Sequence, residues 1–415
     1  MKIICEPSKC TGCMACVNVC AHHAVKIKTD EEGFDRPYID SNLCVDCGLC
    51  SKTCPINQHP KVNETKDVYS GWSADDKVRI NSSSGGAFTE IARPILEKGG
   101  VVFGCALNGK LQAEHIYVET FEELETKLRG SKYVQSRIGN SYSKAKDFLR
   151  QGRKVLFSGT PCQIAGLKNY LRREYENLIT VDLICHGVPS PMLFEDYKEF
   201  MQKHEKMKLT NVSFRCKKSS WIFFNMTLKG HVEKGSALKT YIGRYYEDPY
   251  IRGFLRDYFL RPSCHQCKFT SIQRCSDFTI ADWWGYSKVS ESDRDFRKKG
   301  VSLILANTDK AVAMVPFLNM VLRKRTIDEA KKTNCSLSKA FAMPVIRTDF
   351  WKDYYSMSFN DLVSKYMMPE KVRWQTKIME HYPNTDKLIL LIRILELPQR
   401  VINKLFKVLG LNIKI

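Results

Sequence analysis

The chain has no apolar stretch approaching the roughly 18 residues that a membrane-spanning helix needs. Its opening residues, Met1-Lys2-Ile3-Ile4-Cys5-Glu6-Pro7, lack the apolar core of a secretory signal, so export is not expected. Of the 415 residues, 43% are hydrophobic and 27% charged, which excludes wholesale disorder and collagen-like repeats. No segment interleaves basic and aromatic residues as RNA-binding surfaces do, so nucleic acid is not an expected partner. Acidic residues are comparatively scarce, 45 against 65 Lys and Arg, for a formal charge of +20. That number treats every cysteine as neutral; eight thiolates on two 4Fe-4S cores would lower it by roughly 4. The length is too great for one ordinary core and predicts two or three domains.

Cysteine is abundant instead. There are 17, nine of them within the first 54 residues. An odd number in a long chain without an export signal fits reduced thiols in a cytoplasmic compartment, used as metal ligands, better than a disulfide framework. Residues 10–20 read Cys10-x2-Cys13-x2-Cys16-x3-Cys20, and residues 44–54 repeat the run as Cys44-x2-Cys47-x2-Cys50-x3-Cys54, followed by Pro55. Three cysteines two residues apart wrap one face of a cubane. The fourth, on the next helical turn, points to the other cluster. This assigns Cys10, Cys13, Cys16 and Cys54 to one 4Fe-4S cluster and Cys20, Cys44, Cys47 and Cys50 to a second. Structural zinc prefers closed four-ligand sites made from paired cysteines, and fits eight ligands in this order poorly. One departure is Ala21, which stands where the pattern has proline after Cys20. His22 and His23 are read as surface residues between the two runs. Residues 1–57 therefore read as a two-cluster ferredoxin-like module, and the polar, proline-containing residues 58–67 as a linker.

From Val68 onward, strand and helix signals alternate, predicting an α/β domain with a mostly parallel sheet over 68–345. Two strand-to-helix junctions are built alike. After Val155-Leu156-Phe157 comes Ser158-Gly159-Thr160-Pro161-Cys162-Gln163, with Thr160 as N-cap and Pro161 at the first helical position. After Ile179–Ile184 comes Cys185-His186-Gly187-Val188-Pro189-Ser190-Pro191, with Ser190 and Pro191 in the same roles. Cys162 and Cys185 would thus stand near the carboxyl ends of parallel strands, where open α/β sheets bind ligands. The bland alternative for each is a small buried hydrophobe. Ser84-Gly85-Gly86 opens a helix whose exposed N–H groups suit a phosphate or carboxylate. A third cysteine group, Cys264-x2-Cys267-x7-Cys275, is one ligand short. Cys185 is the expected fourth and Cys162 the substitute, for a third 4Fe-4S cluster rather than zinc.

The order of Ser84-Gly85-Gly86, Gly130-Ser131-Lys132-Tyr133, Gly159-Thr160-Pro161-Cys162-Gln163, Cys185-His186-Gly187, Cys264-x2-Cys267 and Ala281-Asp282-Trp283-Trp284-Gly285 resembles the family of coenzyme F420 hydrogenase/dehydrogenase beta subunits. The likeness covers roughly residues 68–310, and an N-terminal ferredoxin module is a familiar fusion to it. It implies a flavin, FAD or FMN, beside an iron–sulfur cluster. It makes Ser84, Gly85, Gly86, Gly159, Thr160, Pro161, Cys162 and Gln163 flavin-binding candidates. Lys132, His186 and Asp282 are candidates for catalysis by position. The implied activity is an oxidoreductase passing electrons between 4Fe-4S clusters and a flavin. The flavin in turn reduces or oxidises a small organic substrate or a deazaflavin coenzyme. A ferredoxin-like protein would be the electron donor or acceptor. The alternative is a non-catalytic electron-transfer subunit of a larger redox complex.

Residues 346–415 are expected to form a helical tail. Val401, Ile402, Leu405, Phe406 and Leu409 recur on one helical face with Lys404 and Lys407 on the other. Such a basic amphipathic helix suits either an anionic membrane surface or docking on protein. The expected whole is an α+β ferredoxin-like module, an α/β domain and a helical tail. Its expected location is the cytoplasm, with the inner membrane face as a further option through the tail.

Overall fold

The computed structural model describes residues 3–217, 220–233, 235–284 and 296–368. It contains thirteen strands among these residues: β1 (Val25–Thr29), β2 (Asp35–Ile39), β3 (Asp67–Ser73), β4 (Val101–Leu107), β5 (Ala113–Val118), β6 (Val155–Ser158), β7 (Leu178–Leu183), β8 (Met207–Cys216), β9 (Asn225–Val232), β10 (Leu238–Arg244), β11 (Phe278–Asp282), β12 (Ser302–Ala306) and β13 (Met320–Arg325). Eight form one sheet in the order β13-β3-β12-β11-β7-β6-β4-β5. Its central strands β11, β7, β6 and β4 run parallel. The flanks β12, β3, β13 and β5 are antiparallel to their neighbours. The expected mostly parallel sheet is therefore a mixed one, since only three of its seven pairings are parallel. The parallel strands β6 and β7 are buried nearly throughout, as strands covered on both faces must be.

The two junction helices begin where their caps predict. Pro161–Leu171 starts after Thr160, whose N–H donates to Gln163 Oε1 at 2.9 Å. Pro191–Glu205 starts after Ser190, whose Oγ accepts from Leu193 N. A second sheet, β10-β9-β8, is antiparallel throughout and was not anticipated. One of its faces closes a core around Phe194, Phe214, Tyr250 and Phe259. Phe350, Trp351, Leu362 and Met367, from the helices beyond residue 346, join that core. Residues 369–415, with the amphipathic segment, lie outside the described residues.

The N-terminal module is a β1–β2 hairpin with two five-residue helices, Ala15–Val19 and Leu49–Thr53. Each helix is capped at its C-terminus by the fourth cysteine of its run, Cys20 or Cys54. Cys13, Met14, Ala15 and Val19 share one apolar core with Ile138, Tyr142, Ile164 and Leu167 of the larger domain. The close approach is at Gly166. A Cβ there would stand 3.1 Å from Cys13 Sγ and 3.0 Å from the Tyr142 hydroxyl. The connecting segment is laid along the larger domain: Asn63 exchanges backbone hydrogen bonds with Arg274, and His59 stacks on Phe269. His22 and His23 are exposed.

His115 on β5 fixes the turn after β6. Its Nε2 donates to Ser158 O at 3.1 Å, so its Nδ1 accepts from Ser136 Oγ, which also accepts from Gln163 Nε2. Burial pushes this imidazole down to about 4. The unfolded chain, with His near 6.5, binds the extra proton first. The contribution is therefore complete above about pH 6.5 and is lost as pH falls towards 4, by about 3 kcal/mol. In denaturant titrations at pH 7 and pH 4.5, His115→Asn should lose less stability on acidification than the wild type; equal losses would refute this. Gly166→Val should overpack the shared core and cost about 1–3 kcal/mol. A melting temperature equal to that of the wild type would show that the contact yields.

Candidate functional site: a cavity fed by a line of thiols

A cavity of about 520 Å³ opens at the carboxyl ends of β6, β7 and β11, where the loops diverge and leave a crevice. Of the residues singled out from sequence, Ser84, Gly86, Lys132, Gly159, Thr160, Cys162, Gln163, Cys185, His186 and Asp282 all line it. Gly85 and Pro161 stand just behind the wall. Gly85 N donates to Ser302 Oγ at 3.0 Å, and Pro161 is the first residue of its helix. Thr89 Oγ1, in the first turn of the helix Ala87–Leu96, is a buried lining atom that meets no hydrogen-bond partner.

The three candidates for catalysis are each engaged. Lys132 Nζ donates to the carbonyls of Leu128 (2.8 Å), Arg129 (3.1 Å) and Lys127 (3.3 Å), closing the C-terminal end of the turn Leu124–Leu128. Burial lowers it to about 8. His186 Nε2 lies 2.6 Å from Asp257 Oδ1, with its ring between Phe254 and Phe341. Asp282 is bonded by Arg215 at one oxygen and by Trp221 Nε1, at 2.7 Å, at the other. These bonds occupy both of its oxygens.

Two buried cations escaped the sequence reading. Arg215, from β8, lies under Phe224 and Trp284 as well as against Asp282. Lys217 Nζ donates to the carbonyls of Arg79, Ser84 and Lys299, tying down the Ser84 loop. Burial, with Arg215 nearby, lowers it to about 7. Neither residue lies in a spacing motif. Their roles depend on β8, which no local signal attached to this site.

The thiols form a line leading to the cavity. Cys47 is exposed, and Cys50 feels both Cys20 and Cys47. Cys10, Cys13, Cys16 and Cys54 surround a small hollow of about 20 Å³, which Cys5 also lines. That convergence fits the grouping expected from the doubled run. Cys162 acts electrostatically on Cys13, and burial raises both thiols. Cys162, Cys185, Cys264 and Cys267 act on one another in turn, each of the first three pushed up chiefly by burial. The groups acting on Cys275 are Asp182, Lys168 and Arg274. Among the described residues, no three His, Cys, Asp or Glu side chains close on a single ion-sized point.

Three family descriptions match the chain. Residues 9–57 match the 4Fe-4S dicluster domain. Residues 68–141 match the N-terminal part, and residues 152–329 the C-terminal part, of the coenzyme F420 hydrogenase/dehydrogenase beta subunit. One of the F(420)H(2) dehydrogenase subunits of Methanosarcina mazei is 25% identical over 188 residues, which cover 42% of this chain and 53% of that one. The 7Fe ferredoxin of Hydrogenibacillus schlegelii is 38% identical over 55 residues, covering 13% of this chain and 64% of its own. The chain thus spans about half of the first relative and under two thirds of the second. A chain of the F420-reducing [NiFe] hydrogenase complex from Methanosarcina barkeri aligns with 72% of this chain and 96% of its own, at 16% identity and a TM-score of 0.42. With both parts of one family matched in order behind a dicluster domain, the chain belongs to the family of coenzyme F420 hydrogenase/dehydrogenase beta subunits and carries a 4Fe-4S dicluster domain ahead of it.

Proposed function

We propose that the protein is a flavin-dependent iron–sulfur oxidoreductase. Electrons would enter or leave at the exposed Cys47 edge, in exchange with a ferredoxin-like partner, and pass along the thiols to the cavity. The observation that carries this reading is the continuity of the line, from Cys47 through Cys50, Cys16, Cys13 and Cys162 to Cys185 at the cavity wall. A flavin in the cavity would convert single electrons into two-electron chemistry on a small organic substrate or a deazaflavin. The volume suits such a ligand. The orphaned Thr89 Oγ1 offers it a polar contact, and the Ser84–Gly86 and Gly159–Gln163 turns offer backbone at close range. Lys217 holds the first turn in place, and the His115–Ser136–Gln163 chain holds the second. A third cluster is best supplied by Cys162, Cys185, Cys264 and Cys267, with Cys162 replacing the Cys275 expected from spacing.

The engagement of Lys132, His186 and Asp282 favours a second reading, an electron-transfer subunit whose chemistry is completed by partner chains. Turnover of the isolated, reconstituted chain with an artificial electron donor separates the two readings. The ligand set has its own test on the full chain. Iron per chain should fall from about 12 to about 8 in Cys162→Ser and stay near 12 in Cys275→Ser; the reverse pattern would restore Cys275 as ligand. Reconstitution with FAD or FMN should give about one flavin per chain by absorbance. Gly159→Val should weaken it, because its side chain must displace Gln163, whose Cβ lies 3.2 Å from the added carbon. Absence of flavin from the wild type would remove the flavin reading.

A further inference from the structure

Arg261 joins the two halves of the thiol line. It stands three residues before Cys264. Its backbone N–H donates to Val188 O at 2.9 Å, and its carbonyl accepts from Cys264 N at 2.8 Å. Its side chain reaches the other way, into the ferredoxin module, and is fully buried. Nε donates to Cys10 O at 2.8 Å, Nη1 to Gln135 Oε1 at 2.9 Å and Nη2 to Asp35 O at 3.1 Å. Nη2 also lies 3.7 Å from Cys10 Sγ. These contacts end on two carbonyls, an amide oxygen and a sulfur. Asp30, which also acts on Arg261, is itself paired with Arg36 at 2.7 Å. A buried guanidinium needs a counter-charge, and a cluster thiolate at Cys10 supplies one.

We propose that Arg261 sets the reduction potential of the cluster held by Cys10, Cys13, Cys16 and Cys54, raising it so that this buried station accepts electrons from the exposed one at Cys20, Cys44, Cys47 and Cys50. The inference rests on the ligand assignment above. The step is a one-electron transfer between the two clusters: the exposed core is oxidised from +1 to +2, the buried core is reduced from +2 to +1, and no proton moves. Water stabilises the added negative charge at the exposed station but is excluded from the buried one, so burial alone makes the inner cluster harder to reduce. A fixed cation within hydrogen-bonding reach of a ligand sulfur favours the reduced form and offsets that penalty. Arg261 is thus a positioning residue acting through Cys10, not a catalytic one.

The test is an EPR-monitored redox titration of the full reconstituted chain, with iron and sulfide counted for each variant. Arg261→Gln removes the charge. Gln135→Glu leaves the arginine in place and neutralises it with an isosteric carboxylate. In both, the midpoint of one 4Fe-4S signal should become more negative, while the signal that disappears in Cys47→Ser keeps its midpoint. Arg261→Lys should bring the shifted midpoint back towards the wild type. A residue that only holds the fold would lower the iron content without moving the midpoint of the remaining signal. Full iron content with an unmoved midpoint in Gln135→Glu overturns the proposal. If that variant loses its iron, equal midpoints in Arg261→Gln and Arg261→Lys overturn it instead. A wild type that binds no N-terminal iron refutes the ligand assignment, and the proposal with it.

Discussion

The structure depends on a close contact between the backbone at Gly166 and the side chain of Cys13. Helix Pro161–Leu171 lies so close to the first cysteine loop that a side chain at residue 166 would begin 3.1 Å from Cys13 Sγ. Around that contact the ferredoxin module and the larger domain share a single apolar core. The module is therefore part of the wall of the larger domain rather than an appended bead. The same helix begins at Pro161 and Cys162, so docking the module also sets how far its first cluster stands from the third thiol group. In the proposed route, stability and electron transfer therefore share one interface.

The cavity wall is stiffened by buried polar groups whose bonds are spent on the protein. Lys217 gathers three carbonyls from three separate segments, Asp282 is held from two sides, and His115 is the neutral centre of a chain from Gln163 to Ser158. Buried groups of this kind hold loops in one arrangement because each lost bond leaves a costly orphan. Such a wall suits electron transfer, in which little must move. It also keeps Lys132, His186 and Asp282 bonded to the protein, in keeping with the proposal that a bound cofactor or partner chains supply the chemistry.

Legibility followed the range of the signals. The cysteine runs, the Thr160-Pro161 and Ser190-Pro191 caps and the Ser84, Gly159 and Cys185 turns are local patterns, and the folded chain brings those three turns to one cavity. Sheet direction was not local. Val155-Leu156-Phe157 and Leu303-Ile304-Leu305 are equally apolar, yet β6 is parallel to both neighbours and β12 to neither. Burial dictates such composition; direction depends on the connection. The β8–β10 sheet did carry a sign, the alternation Met207-Lys208-Leu209-Thr210, but apolar runs drew attention away from it. The proposed place of Cys162 in the third cluster, where spacing expects Cys275, has a related basis: Cys162 acts on Cys185 and Cys264, whereas Asp182, Lys168 and Arg274 act on Cys275. Spacing ranks cysteines by distance along the chain, whereas the helix after β6 returns Cys162 to the Cys264–Cys267 turn.

Arg261 escaped notice because one arginine among 65 basic residues has no spacing to mark it. What distinguishes it is full burial with no ion pair among the described residues, its side-chain bonds ending on carbonyls, an amide and a sulfur, a property of the fold alone. The formal excess of positive charge has a related meaning. A chain that collects several thiolates inside needs cations inside as well, and the guanidinium of Arg261 is placed where the line passes from the exposed module into the interior. Desolvation raises the cost of each added electron from Cys47 inward, and only fixed positive charge along the way can level that climb. The order of burial along the line thus sets where cations are needed, and in the proposal Arg261 occupies one such point, beside Cys10.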